Sequence, residues 1–204
     1  MNFFRKKIVN VYVDGFNLYH AIEALNEPSL KWVDLRSLSV SLCKEDEELG
    51  LVKYFSAYAT WKHTSVKRHK AYVTALHEMG VDCILGKFKK RPVNCRKCGN
   101  SYTSHEEKET DVNIGIHLVS DALLDKFTRA IVISADTDLH PAIEMARHLT
   151  QKEVDMVAPP NRMNSSHRIR PIMELRKSRL RKNLLPHRVV LSDGSHLYRP
   201  DEYS

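Results

Sequence analysis

Residues 132–143, VISADTDLHPAI, run from strand formers straight into two aspartates, Asp136 and Asp138, with only Thr137 between them. A turn needs one Asp at most, and two acids at one strand tip repel each other unless a cation sits between them. Asp14 closes the run IVNVYVD and is followed by Gly15, which lets the chain turn as it leaves the strand, and by Asn17. Asp111 falls in the first turn of a helix starting near Thr110, with Glu109 as a reserve and Glu107 one turn back if that helix extends so far. Each acid has an ordinary use. Asp14 can cap a helix, Asp111 can oppose a helix dipole, and Asp136 or Asp138 can cap the helix opening near His140. Those uses do not account for four acids meeting at one edge, where repulsion raises pKa values and costs stability. A hard cation does. Mg2+ or Mn2+ takes oxygen ligands, often few carboxylates with water and phosphate, and it polarises a phosphoryl oxygen and activates water. Hydrolysis of a phosphodiester fits this pattern.

For the acids to meet, the elements must alternate. Strands are expected over 8–14, 52–60, 81–88, 129–135 and 153–159, from their β-branched and apolar runs. Helices are expected over 16–25, 34–43 with Asp34 as N-cap, 65–80, 109–126 and 140–149, and a last one over 169–177. In the helix carrying Asp111, the stripe Val112, Ile116, Val119 and Leu123 is expected to face inward. Tyr12, Tyr19 and Tyr58 read as core rather than stacking platforms. Alternating strands and helices imply a Rossmann-like α/β fold, a mostly parallel sheet covered on both faces. Ligands then bind beyond the carboxyl ends of the strands, where strand order reverses. If the strands ending at Asp14 and before Asp136 are neighbours, their tips share one crevice.

The 204-residue chain carries a net charge of +7 and 42% hydrophobic residues. It is near the size of one α/β domain and able to bury a core. The charge is uneven. Residues 162–188 hold nine Lys/Arg and one acid, Glu174, and residues 84–101 hold six Lys/Arg and no acid. Those segments carry +14, so the rest carries −7. An acidic body with two basic segments favours a polyanion partner. No run approaches the ~20 apolar residues of a membrane span, and MNFFRKKIVN is too short and wrongly ordered for a signal peptide. Four unevenly spaced cysteines read as reduced thiols, so a cytoplasmic protein with no membrane partner is expected.

Three segments, VYVDGFNLY, EEKETDVNIGIHLVSDAL and VISADTDLHPAI, resemble the NYN-domain branch of the PIN-like nuclease superfamily. The shared features are Asp14 with Asn17, Lys108 with Asp111, and Asp136 with Asp138; VDMVAPPNR and LRKNLLP also fit, so the likeness covers most of 8–186. The resemblance implies a PIN-like three-layer α/β/α fold over residues 1–186, with a C-terminal tail over 187–204. It implies a metal-dependent ribonuclease, with Asp14, Asp111, Asp136 and Asp138 holding Mg2+ or Mn2+ and positioning the attacking water. Asn17 would orient Asp14 or touch RNA, and Thr137 would offer its hydroxyl to a phosphate.

Between the third strand and the helix of Asp111 lies a basic insertion over about 87–105, expected as a loop. Its Lys89, Lys90 and Arg91, with Lys108 beyond it, are placed to meet a phosphate backbone. It also holds Cys95 and Cys98, half of a zinc ribbon. A structural zinc needs four ligands. His105 is near, Cys83 reads as a buried strand thiol, and a site shared across a homodimer would complete the count. The competing reading is a non-catalytic RNA-binding module, since basic charge binds RNA with or without hydrolysis. A phosphatase of the Asp-x-Asp kind would want its pair at the first strand, where DGFN stands instead. No Gly-x-Gly-x-x-Gly or Walker loop indicates a nucleotide cofactor.

Overall fold

The computed structural model describes residues 6–94, 97–163 and 168–204. The central element is a seven-stranded sheet made of β1 (Lys7–Asp14), β2 (Glu47–Ala57), β3 (Asp82–Asn94), β4 (Ser101–Lys108), β5 (Arg129–Ile133), β6 (Glu153–Ala158) and β7 (Met173–Glu174). Spatial order is β4-β3-β2-β1-β5-β6-β7. All neighbours run parallel except β3 and β4, which form an antiparallel hairpin. The chain builds outward from β1 to β2 and β3, then returns to the other side of β1 with β5. Order therefore reverses between β1 and β5, which pair directly, Val13 opposite Ile133.

Helices cover both faces, and strand alternation separates their cores. Val9, Val11 and Val13 point to one layer, packed by α1 (Gly15–Glu23), α2 (Leu35–Val40), α3 (His63–Glu78) and α6 (Lys177–Lys182). Tyr12, Ala130 and Val132 point to the other, packed by α4 (Thr110–Leu123) and α5 (His140–Thr150). This is the three-layer α/β/α arrangement expected from the alternation of elements. Asp34 caps α2 as expected, accepting from the backbone N–H groups of Arg36 and Ser37 at 2.9 and 3.0 Å.

Four expectations are corrected. The stretch 169–177 is not a helix: Met173–Glu174 joins the sheet edge as β7, and the helix starts at Lys177. The basic stretch after residue 87 is not a loop, because β3 runs on to Asn94 and pairs with β4 from Lys87↔Lys108 to Asn94↔Ser101. The α4 stripe is rotated: Val112, Ile116 and Leu123 are exposed, while Ile114, Leu118, Asp121 and Ala122 face the sheet. Hydrophobic periodicity missed the true stripe because it contains a charge. Asp121 accepts from Lys53 Nζ at 2.6 Å and from the Tyr12 hydroxyl at 2.9 Å, and it pairs with Lys126 at 3.0 Å. Tyr19 is exposed and Tyr58 half-buried, so of the three tyrosines read as core only Tyr12 is fully so.

The last residues form a hairpin, β8 (Arg188–Val190) with β9 (His196–Tyr198), and a 3-10 turn, Asp201–Tyr203. Val189 and Tyr203 are buried in the first core, Tyr203 beside the fully buried Trp32.

Candidate active site

The site lies at the carboxyl end of the sheet. Asp14 is the last residue of β1 and the N-cap of α1, its Oδ1 accepting from the Asn17 N–H at 3.0 Å. Its Oδ2 accepts from the Ser134 hydroxyl, just past β5, at 2.8 Å. Asn17 Oδ1 accepts from the Ala135 N–H at 3.1 Å, which ties α1 to the neighbouring strand tip. Asp136 accepts from the Asp138 N–H at 2.9 Å, and its own N–H donates to Ser134 Oγ at 3.0 Å. Ser134, buried and bonded to both aspartate segments, was not singled out in the sequence. Gly15 has its reason in a close approach rather than a sharp turn: a Cβ there would stand 2.5 Å from the Phe55 carbonyl oxygen and 2.6 Å from the Tyr54 ring.

A cavity of about 310 Å3 opens over these residues, lined by Asp14, Asn17, Glu107, Asp111, Asp136 and Arg162 among others. Glu107 arrives from β4, not from an extended α4. Its carboxylate accepts from the Thr110 N–H at 3.1 Å and from the Thr110 hydroxyl. Glu109, the reserve candidate, turns away in a left-handed conformation (φ 81°) and pairs with Lys87 at 2.6 Å. Asp138 and Thr137 are exposed on the 3-10 turn beside the cavity rather than in its lining.

The electrostatics carry the mark of crowded acids. Burial, then the charges of Asp14, Asp136, Glu107 and Asp138, push Asp111 up to about 6. Burial pushes Asp14 up as well, with Asp136 and Glu107 adding to it, against the hydrogen bonds from Asn17 and Ser134. Hard oxygen donors with such repulsion suit a divalent cation. Among the described residues no three acids, histidines or cysteines are already gathered into a metal-binding set. Such an ion commonly takes few protein carboxylates and completes its shell with water and phosphate.

The predicted basic contacts lie elsewhere. Arg91 and Lys108 both pair with Glu106 on the hairpin, at 2.6 and 3.1 Å, and Lys89 and Lys90 are exposed on β3. None of the four lines the acidic cavity. Arg162, which opens the basic segment 162–188, does line it. Cys95 lies outside the described residues, and Cys98 is exposed near the hairpin turn. Cys83 is a partly buried strand thiol, pushed by burial up to about 12.

A second, larger cavity of about 510 Å3 adjoins the first and shares Phe16, His20 and Glu107 with it. Its wall is aromatic. Trp61 stacks on His105 with ring centroids 3.6 Å apart and meets Phe88 edge-on at 4.7 Å; Phe88 meets Phe16 at 5.5 Å.

The family model for the NYN domain matches residues 8–170, a span that carries every one of these acids. The chain belongs to the NYN domain family. That family is a branch of the PIN-like nuclease superfamily, as the three sequence motifs implied. One similar protein is 6-hydroxy-3-succinoylpyridine 3-monooxygenase HspA of Pseudomonas putida, 26% identical over 193 residues that cover 76% of this chain. The chain spans 61% of that protein's length. A solved structure, a protein of unknown function from Vibrio parahaemolyticus, superposes with a TM-score of 0.56 at 19% identity, covering 91% of this chain and all of that one. It shares the fold. Among the described residues of this NYN chain, no helix is long and apolar enough to cross a membrane.

Proposed function

We propose that this NYN protein is a cytoplasmic, divalent-metal-dependent ribonuclease. One observation carries the reading: Asp14, Glu107, Asp111 and Asp136, from four separate segments, line one cavity at the strand-order reversal, together with Arg162. Asp14, Asp111 and Asp136 are the residues to hold Mg2+ or Mn2+, with Asp138 at the rim and Glu107 added to the set. The bound ion would supply Lewis-acid polarisation and a water of lowered pKa. The chain's own groups do the rest. Asn17 and Ser134 fix the Asp14 carboxylate from two sides. The neighbouring acids that, with burial, push Asp111 up to about 6 favour a cation that would offset their repulsion. Arg162 offers its guanidinium to a phosphate oxygen. The basic hairpin with Lys89, Lys90, Arg91 and Lys108, and the basic segment after residue 162, steer and hold the RNA chain outside the cavity.

The test is cleavage of varied RNAs with and without Mg2+ or Mn2+, wild type beside Asp136→Asn. Metal-dependent cleavage lost in the variant supports the reading. Sustained binding with no cleavage of any RNA would replace it by a non-catalytic RNA-binding module. A second reading, oxygenation of a small aromatic heterocycle, is favoured by the name of the Pseudomonas relative and by the aromatic cavity beside the acids. Hydroxylation of 6-hydroxy-3-succinoylpyridine by the purified protein, given oxygen and an electron donor, would establish it.

A further inference from the structure

The geometry points to the aromatic cavity as a binding site for one unpaired nucleobase of the RNA, next to the phosphate held at the acidic site. This rests on the ribonuclease reading for the place of the phosphate, and on four features of the cavity itself. Its volume, about 510 Å3, falls within the 300–1,000 Å3 of small-ligand sites. It is contiguous with the acidic cavity through Phe16, His20 and Glu107, so a nucleotide with its phosphate in one places its base in the other. Its wall is built from rings that four different segments bring together: Phe16 of α1, Trp61, Phe88 of β3 and His105 of β4. Two of those rings, Phe88 and His105, sit on the β3–β4 hairpin.

The fourth feature is polarity at the right depth. His69, Tyr54 and Ser56 line the same cavity, with His69 Nε2 3.4 Å from both the Tyr54 hydroxyl and Ser56 Oγ. Burial lowers His69 to about 4, so its ring is neutral at pH 7, with one nitrogen to donate and one to accept. Such a set can meet the edge of a base. Exposed Lys62 also lines the cavity and can meet a ribose-phosphate chain leaving it, whereas Lys31 and Arg68 there pair with Glu23 and Glu202 at 3.0 and 2.8 Å. A base in a duplex is stacked and paired, and cannot enter a pocket of this kind without being extruded. The site therefore selects single-stranded RNA, loops or ends over duplex.

Trp61 makes the test direct, because the chain has two tryptophans and Trp32 is fully buried. The probes are an eight-nucleotide oligoadenylate, the same ribose-phosphate chain without bases, and a blunt RNA duplex. Each is titrated in chelator while tryptophan fluorescence and binding are read. Oligoadenylate should quench the emission and bind about tenfold tighter than the abasic chain, the scale of one base-aromatic stack. Duplex should not quench. Phe88→Ala and Trp61→Ala should each remove most of that tenfold advantage, and Trp61→Phe should restore it, while abasic binding stays within about twofold in every variant. Equal binding of the abasic and base-bearing chains, or full binding by Phe88→Ala, would overturn the inference. So would quenching by 6-hydroxy-3-succinoylpyridine but by no oligonucleotide, which would assign the cavity to a small aromatic acid. The readout needs neither metal nor turnover. Loss of the base effect with metal-dependent cleavage intact fails this inference alone, whereas a base effect in a protein that never cleaves fails the ribonuclease reading alone.

Discussion

Asp14 shows how one carboxylate serves local structure and chemistry together. It caps α1, as its ordinary structural use predicts, and the same residue lines the cavity. Replacing it by Asn keeps an N-cap acceptor but removes the charge. We expect Asp14→Asn and Asp136→Asn to fold normally by circular dichroism yet lose at least about 100-fold in RNA cleavage. Cleavage within a few-fold of wild type in either would remove the acids from the mechanism. Asp111 sets a pH dependence. Its folded pKa, about 6, lies above its ordinary value, so between roughly pH 4 and 6 the native state binds more protons than the unfolded state. Stability without metal should thus fall as pH rises through that window, and Asp111→Asn should raise the melting temperature at pH 7.5. Mg2+ or Mn2+ should offset the repulsion, so at pH 7.5 it should raise the melting temperature of wild type more than that of Asp111→Asn. An equal shift in both would contradict this assignment of Asp111.

At the level of elements, a buried ion pair holds α4 against the sheet and so fixes where Asp111 stands. Lys53 and Asp121 are nearly inaccessible and 2.6 Å apart, with Tyr12 and Lys126 on the same carboxylate. Burial pushes Asp121 up, but the hydrogen bonds from Lys53, Lys126 and Tyr12 outweigh it and hold the group below the usual range. Its contribution is therefore present above its ordinary pKa and lost as pH falls through its depressed folded value. Lys53→Met leaves a buried carboxylate without its main partner and should cost about 3–5 kcal/mol in urea denaturation. A change under 1 kcal/mol would show the pair to be dispensable. Gly15→Ala forces the start of α1 away from β2, because a Cβ would collide with the Phe55 carbonyl. Both changes act through placement, so cleavage should suffer in molecules that remain folded.

Over the whole molecule, the two ends of the sheet divide charge between structure and chemistry. At the amino ends of the strands, acids share a buried cation: Arg129 pairs with Glu47 at 3.0 Å and Asp155 at 2.6 Å. At the carboxyl ends, acids crowd without comparable compensation. The tail from residue 187 closes the first core rather than hanging free, through Val189 and through Tyr203 against Trp32. Deleting 187–204 should cost at least about 3 kcal/mol, from two buried side chains at about 1.5–3 kcal/mol each. An unchanged urea midpoint would show the tail to be passive.

The alternation of strands and helices, the Asp34 cap and the strand-tip position of Asp14, Asp136 and Asp138 were legible in the chain itself, because they depend on neighbours a few residues away. So was the presence of Asp111 on a helix, but not the orientation of that helix. Its inward stripe includes Asp121, whose partner Lys53 is 68 residues distant, so no local period could reveal it. Glu107 joins the site from a strand rather than from an extended helix, since only pairing with β3 turns the basic stretch into a hairpin. Arg162 and the Trp61, Phe88 and His105 wall were invisible for the same reason. Sequence by itself determined which residues carry charge and which elements hold them; the pairing of β1 with β5, and of β3 with β4, decided which of them share a cavity, because contact between distant segments is set by packing and not by spacing.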